Sequence, residues 1–370
     1  MKKSLLITID FPPQTGGVAN YLANFSQNIP EDKLIVLANE IDNAHHFDGQ
    51  QHYKIIREQL LYKYFWPKWL KTFALSKKII KKEKIEQIII SHILPMGYLA
   101  LILKLPYIVI LHGYDIMNAQ KSSWKKYWAI KILAQAKHII VNSHHTQNQV
   151  LNLGINQNKI TIVYPCPNIK PEQLNEHEKQ TIKNELDLHH KKILLSVGRL
   201  VTRKGFDKVI QALPEIIKQI PNLVYIIVGI GSDKDRLEKL AESLKIRGNL
   251  IIAEDIPNSN LSSFYDLADI FIMPARQINE DVEGFGIVYL EANLFSKPVI
   301  AGKSGGVEDA VIDGQTGILV NPESVQEITQ AILKLFNDLE LANKLGVQGK
   351  ERVLNEFQWP KQIEKINNIL

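Results

Sequence analysis

Short runs of β-branched and aliphatic residues recur along this chain of 370 residues, and a longer stretch of helical character follows each run. Several runs are apolar at consecutive rather than alternate positions, which is typical of parallel strands buried on both faces. This alternation of strand and helix predicts an α/β fold with parallel sheets. The predicted strands are 4–9, 34–37, 87–91, 107–111, 138–142 and 159–163, then 192–197, 223–229, 250–253, 270–273, 298–301 and 317–320.

The pattern occurs twice, and a proline-rich break at 165–167 with the charged stretch 170–191 separates the two series. The charge also differs, because 1–170 carries 21 basic and 10 acidic side chains (+11), whereas 171–370 carries 23 and 29 (−6). A chain of this length suits about two domains. We predict domains at 1–168 and 169–356, and a closing helix at 357–370 that packs back on the first domain.

Composition and apolar patterning exclude several classes of protein. A single cysteine, Cys166, excludes an intramolecular disulfide and a cysteine-based metal cluster, and fits a reducing compartment. The apolar run 4–9 is too short for the core of a secretory signal. The longest apolar stretch, 98–111, is interrupted by Lys104 and Pro106 and falls short of the ~20 residues of a bilayer span. We therefore expect a cytoplasmic protein without a membrane-spanning helix.

Open parallel sheets bind ligands beyond the carboxyl ends of their strands, so polar and glycine-rich residues there are candidates for a site. The first such cluster runs from Asp10 to Gly16 and Gly17, directly before a predicted helix. Two glycines allow a ligand to approach the backbone, and a helix N-terminus favours anions. A plain tight turn is the alternative. The cluster is not G-x-G-x-x-G, so the dinucleotide fingerprint is absent.

The second cluster is His112, Gly113 and Asp115, which follow the predicted strand 107–111. A histidine at the carboxyl end of a strand points toward the ligand side of the sheet rather than into the core. The alternative is a histidine with a purely structural role.

The third cluster contains Gly198, Arg199, Arg203, Lys204 and Gly205, where the first strand of the second series meets its helix. Arg199 and Lys204 combine a forked donor and a point cation, which suits a diphosphate. The alternative is a solvated basic loop, and we expect Arg203 to lie on the surface.

The fourth cluster holds Glu283 and Glu291, with Gly284 and Gly286 between them and a helix predicted to follow. Eight residues at ~1.5 Å each separate the carboxylates by up to ~12 Å, about the span of a nucleotide sugar. We expect Glu283 to accept hydrogen bonds from sugar hydroxyls, Glu291 to hold a ribose, and the amides of 285–287 to face the phosphates. The alternative is two unrelated acids at a helix start and on a solvated face.

Together these clusters resemble the GT-B glycosyltransferases of family four, the large retaining group. The likeness covers essentially the whole chain, and 281–292 is most similar to bacterial phosphatidylinositol mannoside synthases. The matching residues are Glu283 and Glu291 (E-x₇-E); Gly198, Arg199, Lys204 and Gly205 (G-R-x-x-x-x-K-G); Gly16 and Gly17; His112 and Gly113; Gly305 and Gly306; 297–301; 313–317; and 357–359.

The resemblance implies two Rossmann-like domains facing across a cleft, with the donor held mainly by the second. It implies that Arg199 and Lys204 neutralise the leaving diphosphate, and that Glu283 and His112 hold the transferred hexose. The expected donor-binding residues are Gly16, Gly17, Gly198, Gly229, Ile256, Gly284, Phe285, Gly286, Ile287 and Glu291, and the expected acceptor-binding residues are Asp10, Gly17 and Asp115.

The resemblance also implies that no metal or other cofactor is required, because cations and helix amides stabilise the leaving group. One motif tests this expectation. Asp233 and Asp235 form the D-x-D pattern of metal-dependent transferases, but they open a predicted helix, where acids complement the helix dipole. We expect them to be structural.

The implied reaction is retaining transfer of a hexose from a nucleotide sugar to a lipid-linked or saccharide acceptor, with an α-linkage, in cell-envelope glycan or glycolipid synthesis such as that of lipopolysaccharide. Mannose from GDP-mannose is the first candidate. A transferase for UDP-glucose, UDP-galactose or a UDP-N-acetylhexosamine and a GT-B nucleotide-sugar epimerase are alternatives. A non-catalytic subunit ranks lower, because all four clusters are intact, and a dinucleotide-dependent oxidoreductase ranks last.

The stretch 53–84 concentrates basic residues and aromatic ones, a composition that suits an anionic membrane surface. We expect peripheral attachment to the inner face of the cell membrane, the alternative being a solvated helical face with its apolar side in the core. Nucleic acid is not expected, since no binding motif accompanies the charge. The aromatic residues are Tyr53, Tyr62, Tyr64, Phe65, Trp66, Trp69 and Phe73.

Overall fold

The structure, a computed structural model, describes residues 1–14, 16–64, 66–169, 171, 176–254, 256 and 258–370. The chain forms two compact units, one of Met1–Cys166 with Gln358–Leu370 and the other of Pro167–Phe357. The boundaries expected from the sequence, after 168 and after 356, lie within two residues of these divisions. Thr15, Phe65 and Lys170, which belong to predicted segments, lie outside the described residues.

The first unit contains a seven-stranded parallel sheet in the order β3-β2-β1-β4-β5-β6-β7. Its strands are β1 (Ser4–Thr8), β2 (Leu34–Asn39), β3 (Lys54–Glu58), β4 (Gln87–Ser91), β5 (Tyr107–Leu111), β6 (His138–Val141) and β7 (Ile160–Ile162). Its helices are α1 (Gly17–Gln27), α2 (Ala44–Asp48), α3 (Leu70–Glu83), α4 (Met96–Leu103), α5 (Tyr114–Ala119), α6 (Ser123–Gln135) and α7 (His144–Leu151), with short 3₁₀ turns at Glu31–Lys33 and Gln157–Lys159.

The central strands of this sheet are buried along their whole length, as their unbroken apolar runs predict. Leu5 of β1, for example, pairs in register with Ile35 of β2 and Ile88 of β4. Strand β3 is absent from the sequence-based prediction. Its sequence Lys-Ile-Ile-Arg-Glu mixes charged and apolar residues because it forms the sheet edge, where Lys54 is exposed and the other four residues are half-buried.

The second unit contains a six-stranded parallel sheet in the order β10-β9-β8-β11-β12-β13. All six strands begin and end close to the predicted positions: β8 (Lys192–Val197), β9 (Leu223–Val228), β10 (Leu250–Ala253), β11 (Ile270–Met273), β12 (Val299–Gly302) and β13 (Ile318–Val320). The helices are α8 (Glu176–Glu185), α9 (Phe206–Gln219), α10 (Lys234–Ser243), α11 (Asn258–Leu267), α12 (Ile287–Leu294), α13 (Val307–Ala310), α14 (Val325–Asn337) and α15 (Leu339–Glu356), with 3₁₀ turns at Thr202–Lys204 and Arg247–Asn249.

The final helix, α16 (Trp359–Glu364), belongs to the first unit. The Trp359 ring contacts the Tyr21 ring edge-to-face with the centroids 5.2 Å apart. The last residue is also tied down, since its carbonyl oxygen accepts a hydrogen bond of 2.6 Å from the Lys2 backbone N–H. The end of the chain therefore completes the first unit.

Both sheets reverse their strand order once, between β1 and β4 in the first unit and between β8 and β11 in the second. In open parallel sheets this reversal leaves a crevice beyond the carboxyl ends of the strands, which is where ligands bind. The loops that follow these four strands are therefore the places to look for a site. Among the described residues, no helix is long and apolar enough to cross a membrane.

Candidate functional site

An ion-pair cluster around Glu283 lies at the strand reversal of the second unit. The Nζ atom of Lys204 is 2.6 Å from one oxygen of Glu283, and Nη1 of Arg203 is 2.8 Å from the same oxygen. Arg203 also pairs with Asp281, with 3.0 Å between its Nε and the carboxylate. Lys204 and Arg203 follow β8 and Glu283 follows β11, so the sheet brings together groups that are far apart in the sequence.

The two cations keep Glu283 ionised. Burial alone would raise the pKa of its carboxyl, but the charges and hydrogen bonds of Lys204 and Arg203 outweigh burial and lower that pKa to about 2. The side chains of Glu283 and Lys204 are 12% and 11% exposed, so this carboxylate is largely enclosed. Such a group accepts hydrogen bonds and does not donate a proton at neutral pH.

Close backbone contacts hold together the three loops that follow β8, β11 and β12. A side chain at Gly205, whose φ is +76°, would place its Cβ 2.1 Å from the Pro274 carbonyl oxygen. A Cβ at Gly305 would lie 2.4 Å from the carbonyl oxygen of Glu283, and the N–H of Gly306 donates to that oxygen at 2.9 Å. Only glycine fits at Gly205 and Gly305, which is a physical reason for a glycine in each of these two motifs.

The prediction that Arg203 lies on the surface is wrong, whereas Arg199 is exposed just after the end of β8. Arg203, expected on the surface, is 8% exposed because it is enclosed between Glu283 and Asp281. Arg199 is exposed and makes no ion pair with any described residue, although its charge is close enough to lower the pKa of Lys204 together with burial. The exposed guanidinium of Arg199 is therefore available to a ligand beside the Lys204 ammonium.

The second glutamate of the motif, Glu291, has the opposite environment. It lies on α12 and accepts a hydrogen bond of 2.7 Å from the Tyr265 hydroxyl. Burial raises the pKa of this carboxyl to about 7, although the Tyr265 hydrogen bond and the Lys204 charge both oppose the shift. Glu291 is therefore partly protonated at neutral pH.

Between the two glutamates, the backbone turns sharply into α12, which begins at Ile287. Gly286 has a φ of +89°, and a Cβ there would lie 2.3 Å from the Tyr289 ring. Phe285 is buried against the Phe357 ring, with the centroids 5.8 Å apart, so its side chain anchors the turn. The first N–H groups of a helix have no acceptor within it, and the start of α12 can offer them to an anion.

The remaining predicted donor-binding residues of this unit are Gly198, Gly229, Ile256 and Gly284. Gly229 packs tightly on the first loop, since a Cβ there would lie 2.0 Å from the Gly198 carbonyl oxygen. The Gly198 N–H in turn donates to Val228 at 2.9 Å. Ile256 is half-buried in the segment after β10. Gly284, half-buried, lies between Glu283 and the turn.

The strand reversal of the first unit carries the other predicted residues. A Cβ at Gly16 or Gly17 would meet no atom within 4 Å, so the backbone before α1 is open to a ligand. Asp10, which follows β1, forms an ion pair of 3.0 Å with His92, which follows β4. His92 is not among the site residues predicted from the sequence. The available signal was its place directly after a predicted strand, but no motif drew attention to it.

His112 and Asp115 meet at the start of α5, where the Asp115 Oδ1 atom accepts a hydrogen bond of 3.0 Å from the His112 backbone N–H. Burial, with the nearby His92 charge, lowers the pKa of the His112 ring to about 3, so His112 is neutral. Its ring packs edge-to-face on Tyr21, with the centroids 5.2 Å apart. Burial raises the pKa of Asp115, and its Oδ2 atom has no hydrogen-bond partner among the described residues.

The D-x-D pattern faces an arginine. Asp233 is 8% exposed, and its two carboxylate oxygens pair with Arg236 one turn later at 2.5 and 2.6 Å. Asp235 lies in the first turn of α10, where an acid complements the helix dipole. Within the described parts of the chain, no group of three or more His, Cys, Asp and Glu is arranged to hold a metal ion.

The basic and aromatic stretch 53–84 does not form one continuous surface element. Tyr53 is 3% exposed, and Trp69 stacks on Tyr98 with ring centroids 6.2 Å apart, so these two rings belong to the core and its edge. Tyr64 and Trp66, in contrast, are 90% and 70% exposed. Tyr62 is also exposed, and Phe73 is half-buried.

Two family descriptions match this chain. Residues 15–169 match Glycosyltransferase Family 4, and residues 178–352 match Glycosyl transferases group 1. Among curated proteins, the GDP-mannose-dependent alpha-(1-6)-phosphatidylinositol monomannoside mannosyltransferase of Mycolicibacterium smegmatis is 27% identical, over 99% of this chain and 97% of its own. The monoacylated phosphatidylinositol monomannoside mannosyltransferase of Corynebacterium glutamicum is 28% identical, over 100% and 98%.

Solved structures show the same architecture over the whole chain. Anabaena Alr3699/HepE in complex with UDP superimposes with a TM-score of 0.83 at 18% identity, covering 100% of both chains. The sucrose-phosphate synthase of Thermosynechococcus elongatus gives 0.81 at 20% identity, covering 100% of this chain and 98% of its own. At these identities the likeness establishes the GT-B fold and no more.

Proposed function

The chain belongs to the GT-B glycosyltransferases, with a family 4 domain followed by a group 1 domain, and from that premise we propose that it transfers a hexose with retention of the anomeric configuration. The proposed donor is a nucleotide sugar, with GDP-mannose the first candidate. The observation that carries the proposal is the Glu283 carboxylate, held ionised by Arg203 and Lys204 beside the exposed Arg199.

In the proposed donor complex, the diphosphate lies against Arg199, Lys204 and the first turn of α12. Charge builds up on the leaving diphosphate as the anomeric bond loosens, and preorganised cations and amides stabilise that charge most in the transition state. Glu283, with a pKa of about 2, accepts hydrogen bonds from hexose hydroxyls. Glu291 takes the ribose hydroxyls, and Gly229 and Ile256 border the base.

Retention follows from attack on the same face as the leaving group. Glu283 is an ionised acceptor, and no other carboxylate in the second unit is assigned as a base or nucleophile. The acceptor hydroxyl therefore attacks while a leaving phosphate oxygen takes its proton, and the product is α-linked.

We expect no metal requirement, and activity that survives a chelator such as EDTA supports this. Loss of activity that Mg²⁺ or Mn²⁺ restores would contradict it.

The choice of mannose rests on the GDP-mannose-dependent relatives, which align over nearly the whole chain. The alternative, a UDP-sugar donor, rests on the fold shared with a protein bound to UDP. A panel of GDP and UDP sugars in a thermal-shift assay separates the two, because a ligand that binds the folded state raises its Tm. A shift with GDP-mannose alone supports the proposal, and a shift with UDP sugars alone overturns the mannose assignment but leaves transfer standing. Conversion of the donor to an epimer without acceptor would identify an epimerase.

The proposed acceptor is a lipid-linked or saccharide hydroxyl bound by the first unit near Asp10, Gly17 and Asp115. The relatives named above act on phosphatidylinositol mannosides, and the first half of this chain carries the excess of positive charge. Exposed Tyr64 and Trp66 among lysines suit the interface of an anionic membrane. We therefore place the protein peripherally on the inner face of the cell membrane.

Flotation with phosphatidylglycerol vesicles tests the membrane assignment. We expect binding at low salt that weakens at high salt, as electrostatic attachment does. The double variant Tyr64→Ser and Trp66→Ser should lose binding, whereas Leu339→Ser, which changes an exposed apolar residue of the second unit, should keep it. If the unchanged protein does not float at low salt, the membrane assignment is wrong.

A further inference from the structure

Four side chains at the strand reversal of the first unit form a continuous hydrogen-bond network. The Asp10 carboxylate is 3.0 Å from Nε2 of His92, and Nδ1 of His92 is 3.3 Å from the Ser91 hydroxyl. The same hydroxyl is 3.2 Å from Nε2 of His112. Asp10 follows β1, Ser91 ends β4 and His92 comes directly after it, and His112 follows β5, so neighbouring strands build this hydrogen-bond network.

In this hydrogen-bond network, the donor or acceptor role of each group depends on that of its neighbour. An ionised carboxylate only accepts hydrogen bonds, so Nε2 of His92 must carry a hydrogen toward Asp10. The other nitrogen of His92 is then a donor when the ring is protonated and an acceptor when it is neutral. Ser91 has one hydroxyl hydrogen and can donate it to only one of the two rings.

We propose that the protonation state of His92 selects the tautomer of His112 through the Ser91 hydroxyl, and so decides whether His112 offers a donor or an acceptor at Nδ1. With His92 protonated, its Nδ1–H donates to Ser91, Ser91 donates to Nε2 of His112, and His112 carries its own hydrogen on Nδ1. When His92 releases a proton to solvent, Ser91 turns its hydroxyl to His92. His112 then exchanges its ring hydrogen through water to Nε2.

The groups around His92 favour its protonated form. Burial alone would lower the pKa of His92, but the hydrogen bond to Asp10 and the charges of Asp115 and Asp10 raise it above its usual value. His112 stays neutral throughout, because burial keeps its pKa low. The hydrogen bond from His92 in turn holds the pKa of Asp10 below its usual value, so the carboxylate remains an acceptor.

The coupling has a consequence for ligand binding that rests on the proposed function. The Nδ1 atom of His112 has no hydrogen-bond partner among the described residues. Its backbone is fixed, since its N–H donates to Asp115 and its carbonyl oxygen accepts from Asn142 at 3.2 Å. If His112 holds the transferred hexose, the proton on His92 determines whether His112 donates to or accepts from a sugar hydroxyl. His92 is then a positioning residue.

Nitrogen-15 NMR of the protein labelled at its histidine rings tests the coupling without any substrate. A ring nitrogen that carries hydrogen and one that does not have different ¹⁵N shifts, and a His112→Gln variant assigns the His112 signals. We expect the two His112 shifts to exchange with the same pH midpoint at which His92 titrates. If His92 titrates while His112 keeps one tautomer, the proposal is wrong.

Two variants interrupt the hydrogen-bond network at different atoms. Ser91→Ala removes the shared hydroxyl, so His92 should still titrate while the exchange of the His112 shifts disappears. His92→Gln retains a donor for Asp10 and presents an acceptor oxygen to Ser91, so His112 should remain in the Nε2–H form at every pH. An unchanged exchange in Ser91→Ala would show that the His92 charge acts through space rather than through Ser91.

An activity profile separates this inference from the proposed function. If both hold, the pH midpoint of kcat/KM that tracks His92 disappears in Ser91→Ala and in His92→Gln. If NMR shows the exchange but neither variant alters the pH profile, the coupling stands and the assignment of His112 to the hexose fails.

Discussion

The two glutamates of the second unit are eight positions apart in the sequence, yet their surroundings shift their acidities in opposite directions. Lys204 and Arg203 contact Glu283 and lower its pKa to about 2, whereas Glu291 meets one tyrosine hydroxyl and burial raises its pKa to about 7. Groups whose environments separate their pKa values take different chemical roles. Glu283 is a permanent acceptor, and Glu291 is a carboxyl whose charge changes near neutral pH.

The largest expected effect tests the permanent charge of Glu283. Glu283→Gln removes the charge, deprives Lys204 of its ion-pair partner and leaves Arg203 paired with Asp281 alone, so we expect kcat/KM to fall by about 10³. Steady-state kinetics with the preferred donor measures this. Glu280→Gln changes an exposed acid three residues earlier and should retain activity. Equal losses in both variants would show that the loop, rather than the Glu283 charge, is what matters.

An Arg199 variant tests whether this cation stabilises the leaving diphosphate without contributing to the stability of the fold. Arg199 has no ion pair to lose among the described residues, so Arg199→Ala should leave Tm unchanged while kcat falls by ~10²–10³. Lys239→Ala, at an exposed cation of α10, is the matched control and should change neither quantity. A loss of donor affinity with unchanged kcat would contradict a role in stabilising the leaving diphosphate.

The depressed pKa of Glu283 also makes a prediction about acid stability. A carboxyl whose pKa falls from 4.5 to about 2 on folding stabilises the protein above pH 4.5, and that stabilisation is lost as the pH falls toward 2. The loss attributable to this group is about 3 kcal/mol. Urea unfolding of the unchanged protein and of Glu283→Gln at pH 7 and pH 3 measures it. The difference in unfolding free energy between the two proteins should be smaller at pH 3 than at pH 7. A constant difference would contradict the ion-pair account.

The smallest effect concerns Glu291 and should appear in donor binding. If the ionised carboxyl holds the ribose, the donor Kd should weaken up to about tenfold between pH 8 and pH 6, because the ionised fraction falls through a pKa of about 7. Calorimetric titration at several pH values measures this. Glu291→Gln should flatten the profile, and Tyr265→Phe, which removes a hydrogen bond that lowers this pKa, should move the midpoint upward. An unaltered midpoint in Tyr265→Phe would mean that another group titrates.

The sequence predicts the sheets well because buried parallel strands are continuous apolar runs. Strand β3 escaped prediction because, at the sheet edge, its charged residues need no burial. Arg203 was wrongly placed on the surface because its partners Asp281 and Glu283 lie on a loop after a different strand. Local sequence contains the charge of Arg203 but not the register that brings those acids beside it.

The residues of the site likewise fall into those that the sequence reveals and those that only the structure reveals. The glycines are visible as motifs because they satisfy local backbone requirements, and Glu283 and Glu291 are visible because they lie eight residues apart in one segment of sequence. His92 has no such mark, and its importance emerges only from the pairing of β1 with β4 and of β4 with β5. Its link to Asp10 and Ser91 is a property of the assembled sheet.

The anomeric configuration of the product is the decisive test of retaining transfer at Glu283. The protein is incubated with its preferred nucleotide sugar and an acceptor such as a phosphatidylinositol mannoside, and the new linkage is read by NMR from the one-bond carbon–hydrogen coupling of the anomeric centre. We expect an α-linked hexose from an α-linked donor, formed by the unchanged protein and nearly absent with Glu283→Gln. A β-linked product would contradict this expectation.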